Sequence, residues 1–252
     1  MRFAFTALLM SLIGCATHPD PQMPPPVAPT PPPRTTTLGT SVQGRPIVMT
    51  TFGPTAGRPV LIIGGIHGSE PTSEYVARQL VAHLTANPRD AKRTVAIIAN
   101  ANPDGLLKKS RGNANGVDVN RNFPAKNWKA VRNRLTNNGP AASSEPESRA
   151  IQQAINALNP DRIVSIHSIQ RGRHCNNFDG PARWLAEAMH AHNGYPVTDT
   201  MGYPTPGSLG SWAGIDKQIP IVTLELPRED AGEVAWKQNK QALITAIAVE
   251  RP

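Results

Sequence analysis

The chain has 252 residues, enough for one domain of ordinary size. It carries 26 Lys and Arg against 18 Asp and Glu, a formal net charge of +8, which suggests anionic ligands without requiring nucleic acid. Two cysteines are too few for a disulfide scaffold. The sequence contains no run of 18 apolar residues, which is the length that a membrane-spanning helix needs.

The first residues predict export and lipid anchoring. Arg2 precedes an apolar run, Phe3–Ile13, which has the length of a secretory signal. The run ends in Leu12-Ile13-Gly14-Cys15, which resembles the lipobox of bacterial lipoproteins and implies cleavage before Cys15 and acylation of its thiol. Ala16 after the cysteine favours the outer membrane, so we expect a periplasmic, lipid-anchored protein. The alternative is an ordinary signal peptide with a chance cysteine.

A proline-rich segment follows the cysteine. Residues 19–33 contain nine prolines, a composition that favours extended polyproline II. The sequence therefore predicts a signal peptide over 1–14, a lipidated cysteine and Pro-rich tether over 15–37, and a folded domain over 38–252. A docking motif for a proline-binding partner is the alternative for the tether.

The rest of the chain alternates strands and helices. This order predicts an α/β sheet with helices on both faces, in which ligands gather beyond the carboxyl ends of the strands. A loop rich in Asn, Gly and Pro is expected over residues 100–140, and a loop of that length is usually functional. Strands are expected at 60–65, 94–99, 162–166 and 220–224, and helices at 72–84, 145–158, 181–192 and 229–249.

A metal site is indicated by residues at the ends of two predicted strands. His67 and Glu70 follow the first buried strand in a glycine-rich turn, three positions apart, so both side chains can face one ion. His167 follows the apolar strand 162–166 and can supply a third ligand. Imidazole and carboxylate are zinc ligands, and catalytic zinc sites use three of them. The spacing of His67 and Glu70 alone is weak evidence, so the prediction depends on the two strand ends together.

Two further features favour hydrolysis. Glu225 lies inside an apolar strand, where it needs a metal, a cationic partner or a raised pKa, and each of these suits a general base. The alternative is a glutamate paired with a surface arginine. The segment 108–124 places basic groups among turn-forming Asn and Gly, an arrangement suited to a carboxylate or an oxyanion but also typical of a solvated turn.

These residues, in this order, resemble the zinc carboxypeptidases related to carboxypeptidase A. The resemblance runs from about Leu38 to the C-terminus, and Val117–Asn122 looks like the signature loop of that family. It implies a mixed, mostly parallel twisted sheet with helices on both faces and one Zn²⁺ per chain. It also implies that His67, Glu70 and His167 bind zinc and that Glu225 is the base that activates water. Arg111 would stabilise the oxyanion. Asn120 and Arg121 would bind the terminal carboxylate of the substrate, and Tyr203 would close over it.

Within that family, Tyr203–Trp212 and Cys175–Ala182 are similar to the short bacterial branch of murein peptide amidases. This likeness implies hydrolysis of the bond between γ-D-glutamate and meso-diaminopimelate in peptidoglycan stem peptides. Arg171 and Arg173 are candidates for binding the D-glutamate carboxylate. The expected partners are peptidoglycan peptides and, through Cys15 alone, a membrane. We expect a monomer that does not bind nucleic acid.

Three other functions are compatible with parts of the pattern. The chain could be a carboxypeptidase for other peptides with basic or polar C-terminal residues. It could act on N-acyl amino acids, although Tyr203 and the full Gly116–Phe123 segment argue against that. It could also be a non-catalytic murein-binding lipoprotein, although every expected catalytic position is filled.

Overall fold

The computed structural model describes residues 31–54, 57–133 and 136–252. The predicted signal peptide, Cys15 and most of the Pro-rich tether lie outside the described residues, so these remain predictions. Within the described residues no helix is both long and apolar enough to cross a membrane.

One mixed sheet organises the described chain. Its order is β1-β2-β4-β3-β5-β8-β6-β7, with β4, β3, β5 and β8 parallel at its centre and antiparallel pairing of β1 with β2, β2 with β4, and β6 with β8. This confirms the expected α/β fold with a mixed, mostly parallel sheet. The strands are β1 Arg34–Thr40, β2 Pro46–Phe52, β3 Val60–Ile63, β4 Val95–Ile98, β5 Arg162–Ile169, β6 Cys175–Asp179, β7 Val197–Thr198 and β8 Ile221–Pro227.

Helices cover both faces of the sheet. Helices α1, α4 and α5 pack on one face, and α3 packs on the other together with Phe123 and with Trp212 of the π-helical turn Gly210–Asp216. The central strands are continuous apolar runs because both of their faces are buried. The helices are α1 Pro71–Ala86, α2 Pro103–Lys108, α3 Pro146–Leu158, α4 Arg183–Asn193 and α5 Gly232–Ala248.

The structure contains four outer strands that were not expected from the sequence, namely β1, β2, β6 and β7. Strand β1 begins at Arg34, so residues 34–37 pair with β2 in the sheet although they were expected in the tether. Strand β6, with the sequence CNNFD, was also not expected. Both strands lack the apolar run or alternation that predicts a strand, and their pairing partners hold them in the sheet. The expected loop 100–140 contains α2 and a short 3₁₀ turn, Val119–Arg121.

The parallel strands bring the predicted site residues to one edge of the sheet. In the β5–β8 ladder His167 lies directly opposite Glu225, and the turn carrying His67 and Glu70 follows the neighbouring strand β3. Gly68 lets this turn pack against α2, because a Cβ atom there would lie 1.9 Å from the carbonyl carbon of Gly105. The fold therefore assembles one site from three segments that are distant in sequence.

Candidate active site

His67, Glu70 and His167 converge at the carboxyl ends of β3 and β5. Their ligand atoms all lie within 4.8 Å of one another, and all three side chains are buried. The Nδ1 atom of His67 is 2.9 Å from Glu70 Oε1 and 3.1 Å from His167 Nδ1, which in turn is 3.2 Å from Glu70 Oε2. The three predicted metal ligands therefore face a common point.

Several donors hold the Glu70 carboxylate in place. The backbone N–H of Ser168 donates to Oε2 at 2.9 Å, and Arg111 donates to Oε1 at 3.2 Å. Glu70 also precedes the first turn of α1, where the helix dipole favours a negative charge. Burial acts to raise the pKa of Glu70, but the two imidazoles lower it well below its usual value. Glu70 is therefore an ionised carboxylate at neutral pH.

A second set of contacts orients the two imidazoles. His67 Nε2 lies 2.9 Å from Asp118 Oδ1, and His167 Nε2 lies 3.0 Å from the Ser165 hydroxyl. Both rings are thus held by their Nε2 atoms and present Nδ1 to the common point. Sequence reasoning did not assign Asp118 a role, although the residue lies in the signature loop. Carboxylates behind a ligating histidine commonly fix its tautomer and strengthen it as a ligand.

The donor set fits zinc. Two imidazole nitrogens and one carboxylate make up a three-ligand catalytic site, in which the fourth position is left for water or substrate. The electrostatics also favour a cation: burial acts to lower the pKa of His67, but Glu70 and Asp118 raise it to about 9. A cation bound between these carboxylates would be stabilised by the same charges.

Glu225 lies opposite His167 on β8 and lines the same cleft. Burial, and to a lesser extent Glu70, raises the pKa of Glu225 to about 7, against the opposing charges of His67 and Arg111. The expectation that this glutamate needs a metal, a cationic partner or a raised pKa is met by the raised pKa. A carboxyl group with a pKa near neutrality can both accept and return a proton.

Arg111 is fixed beside the metal-ligand cluster. Its Nε donates to Asp118 Oδ2 at 2.9 Å, and its NH1 group donates to Glu70. Burial acts to lower the pKa of Arg111, but Asp118 and Glu70 raise it above its usual value. This guanidinium is therefore a preorganised positive charge at the point where an oxyanion would form.

Asn120, Arg121 and Tyr203 line the cleft next to Arg111. Asn120 Oδ1 accepts from the backbone N–H of Leu209 at 2.8 Å, which ties the signature loop to the segment after Tyr203. Burial lowers the pKa of Arg121, and no carboxylate among the described residues forms an ion pair with it. The Tyr203 ring is 43% exposed at the cleft rim. The Arg121 guanidinium is therefore available for a carboxylate ligand.

The inner end of the cleft carries two oxygen acceptors that sequence reasoning missed. Asn177 and Asp179 lie two residues apart on β6, in a cleft of about 270 Å³. Asn177 Oδ1 is buried and has no hydrogen-bond partner among the described residues. Burial raises the pKa of Asp179 to about 6, and no described residue forms a hydrogen bond or ion pair with its carboxylate. Gly210 leaves room for this carboxylate, because a Cβ atom there would lie 2.1 Å from Asp179 Oδ2.

Arg171 and Arg173 do not take the place expected of them. Arg171 forms an ion pair with Asp230, and neither arginine lines the cleft. The Arg173 guanidinium instead lies over the Tyr203 ring, 5.5 Å from its centroid, and donates to the carbonyl of Met201. The expectation failed because both residues lie in the turn after β5, whose course the sequence does not determine. Arg228, which follows β8, lines the cleft in their place.

Comparison with known proteins agrees with this geometry. The sequence profile of the zinc carboxypeptidase family matches residues 31–173, which include the three candidate metal ligands and the signature loop but not Tyr203 or Glu225. Murein peptide amidase A of Escherichia coli K12 is 33% identical over 222 residues, spanning 82% of this chain and 86% of that protein. The corresponding protein of Vibrio campbellii is 30% identical over 204 residues, spanning 76% and 79%.

Solved structures give the same result. The murein-tripeptide amidase of Escherichia coli O157 superimposes with a TM-score of 0.71 at 29% identity, covering 89% of this chain and 95% of that chain. Thrombin-activatable fibrinolysis inhibitor superimposes with a TM-score of 0.70 at 20% identity, covering 86% and 70%, which shows a shared fold.

Replacing Asp118 should weaken metal binding. In Asp118→Asn the charge behind His67 is lost while the side-chain shape is kept, so we expect the affinity for zinc to fall about 10- to 100-fold. Competition with a chromophoric chelator measures this affinity. Glu233→Gln removes an exposed carboxylate on α5 and should leave it unchanged. Equal affinities for Asp118→Asn and the parent protein would exclude this role for Asp118.

Asp179 should make the stability of the protein depend on pH. Its pKa is about 6 in the folded chain against 3.8 when unperturbed, so the folded state binds more protons between these values and loses stability as pH rises through them. We therefore expect the free energy of unfolding of Asp179→Asn, relative to that of the parent protein, to increase by roughly 2–3 kcal/mol as the pH is raised from 4 to 7. Chemical denaturation with a chelator present measures this difference.

Asp161→Asn is a control of opposite sign for that measurement. Burial acts to raise the pKa of Asp161, but Arg162 holds it below its usual value. The stability that Asp161 contributes is present above the unperturbed pKa and is lost as pH falls. A gain for Asp179→Asn that does not change with pH would contradict the assignment of Asp179 as a buried, unpaired carboxyl group.

Proposed function

This chain belongs to the zinc carboxypeptidase family, and on that premise we propose that it hydrolyses the C-terminal amide bond of peptidoglycan stem peptides. The bond would be that between γ-D-glutamate and meso-diaminopimelate. The observation that carries the proposal is one cleft lined by the candidate metal ligands, Glu225, the Arg121 guanidinium and the Asp179 carboxylate, the last two of which form no ion pair among the described residues. Such a cleft is complementary to a C-terminal residue that carries both a carboxylate and an amine.

The chemistry proposed is metal-assisted hydrolysis. Zinc held by His67, Glu70 and His167 would act as a Lewis acid and as an activator of water. Glu225 accepts a proton from the attacking water and returns it to the nitrogen of the leaving amine, a double role that suits a pKa near 7. Arg111 stabilises the negative charge that develops on the carbonyl oxygen.

The terminal carboxylate of the substrate is assigned to Arg121 and Asn120. The Asn120 side chain accepts from Leu209 through Oδ1, and no acceptor among the described residues takes the Nδ2 hydrogens, which can therefore reach a ligand. A carboxylate bound here would also compensate the burial of Arg121. Tyr203, at the rim, would cover this end of the substrate. Together these groups select substrates that end in a free carboxylate.

The inner end of the cleft supports an amine on the C-terminal side chain. Asn177 and Asp179 supply two oxygen acceptors without partners among the described residues, and an ammonium group has three donors to offer. A large apolar side chain would instead bury both acceptors unsatisfied, which costs free energy. Diaminopimelate carries an amine on its side chain, as does lysine. The names of the relatives, murein peptide amidases, support a murein peptide as the substrate.

Replacing Glu225 should abolish most activity without removing the metal. The substrate is L-Ala-γ-D-Glu-meso-diaminopimelate, and release of free diaminopimelate is followed by mass spectrometry. We expect Glu225→Gln to lower kcat by about 10²- to 10⁴-fold, because the amide cannot act as a general base, while zinc content stays near one per chain. A zinc-replete parent protein that releases no diaminopimelate would refute the proposed substrate.

Two matched substrates separate this proposal from a broader carboxypeptidase activity. The same tripeptide with its side-chain amine acetylated should be cleaved at least tenfold more slowly, since Asp179 then faces no cation. Equal cleavage of peptides ending in lysine would favour a general carboxypeptidase for basic C-terminal residues. Zinc binding without hydrolysis of any of these substrates would favour a murein-binding role.

We further propose that the protein is exported and anchored through Cys15. Support comes from the sequence alone, namely the apolar run 3–13 and the lipobox-like end of that run. In a Gram-negative host, labelled palmitate should be incorporated into the parent chain and not into Cys15→Ala, which should also keep its uncleaved N-terminal segment. Labelling of Cys15→Ala, or a cytoplasmic parent protein, would contradict the anchor. A monomeric state without nucleic-acid binding stays a prediction.

A further inference from the structure

Arg228 lines the cleft but lacks an acidic partner. Its backbone N–H donates to the Ile169 carbonyl at 2.7 Å, which fixes the residue just beyond the paired ends of β5 and β8. The guanidinium makes only one long contact, 3.4 Å from NH2 to the Ser168 carbonyl, and no ion pair with any described carboxylate. An exposed positive charge therefore faces the cleft at this end.

The acidic residues next to Arg228 in sequence are bound elsewhere. Glu229 Oε2 accepts from the backbone N–H of Arg171 at 3.0 Å, and Asp230 is paired with the Arg171 guanidinium. The carboxylates of Glu229 and Asp230 therefore both bind Arg171. Neither of them neutralises the positive charge of Arg228, although both are close to it in sequence.

Three arginines line the cleft, and they differ in whether they form ion pairs with carboxylates of the protein. Arg111 is committed to Glu70 and Asp118, and Arg121 is available for the terminal carboxylate of a substrate. Arg228 is a second available guanidinium, three residues after Glu225 on the outward continuation of β8. Asp179 lies at the other end, since it pairs with Ile221 at the start of β8. Arg228 and Asp179 therefore flank the reacting centre on opposite sides.

We propose that Arg228 binds an anionic group on the substrate residue that precedes the scissile bond. In the substrate proposed above, on which this inference rests, that group is the α-carboxylate of D-glutamate. A γ-linked glutamate enters the amide bond through its side chain and keeps its α-carboxylate free, whereas an ordinary α-linked residue has no such group. Guanidinium groups bind carboxylates with paired, charge-assisted hydrogen bonds. Arg228 is therefore a specificity-determining residue for γ-linked peptides.

The test compares two tripeptides that differ at one group. The first is L-Ala-γ-D-Glu-meso-diaminopimelate, and the second carries a carboxamide in place of the α-carboxylate of D-glutamate. The zinc-loaded parent protein should cleave the first with a kcat/KM about 10-fold or more above the second, because the carboxamide offers no charge to Arg228. Arg228→Gln should cleave both at the lower rate, and Arg228→Lys should recover part of the preference.

Controls separate this role from a structural one. Arg183→Gln removes one charge from α4, on the opposite face of the sheet, and should keep the full preference. Equal cleavage of the two tripeptides by the parent, or equal losses on both in Arg228→Gln, would overturn the inference and leave the proposed function standing. If the parent cleaves neither tripeptide, a pair of α-linked peptides with Glu or Gln before a C-terminal lysine tests Arg228 independently, and equal rates there would overturn its role in binding anions.

Discussion

A buried, ionised carboxylate at the edge of the sheet is the constraint on which the site depends. Glu70 contacts both imidazoles and accepts hydrogen bonds from Ser168 and Arg111. These contacts join the turn after β3 to strand β5 and to the segment after α2 that carries Arg111. An unpaired carboxylate in this position would be costly, so the surrounding donors stabilise its charge, and a cation bound by the same residues would stabilise it further.

Charge is also distributed along the cleft in a definite order. Asp179 lies at the inner end, Glu225 beside the metal-ligand cluster, and Arg228 at the outer end, while Arg121 occupies the side wall. Each of these groups is either unpaired or shifted in pKa, which is typical of residues that act on a ligand. A substrate with an anionic group on each side of its scissile bond and an amine on its C-terminal side chain complements this order.

Sequence patterns predicted the four central strands and the candidate metal ligands but not the outer strands of the sheet. The run Val60–Ile63 was identifiable because buried parallel strands are continuously apolar. His167 was identifiable as a polar residue within such a run, although β5 continues to Ile169 and does not end at Ile166 as expected. Strand β6 was not identifiable, since its sequence CNNFD is typical of a turn. Because β6 was not predicted, Asn177 and Asp179 were not recognised as cleft residues. They join the cleft only through the pairing of β6 with β8.

The sequence by itself determined the fold class and pointed to the three candidate metal ligands and the candidate base, because each follows from local hydrophobic pattern, residue chemistry and resemblance to a family. Only the tertiary structure decided which charged side chains are free to bind a ligand. Arg171 and Arg228 are equally basic in the sequence, yet Asp230 neutralises the first and leaves the second open to the cleft. Pairing between side chains distant along the chain depends on how turns are positioned, and local sequence does not specify that.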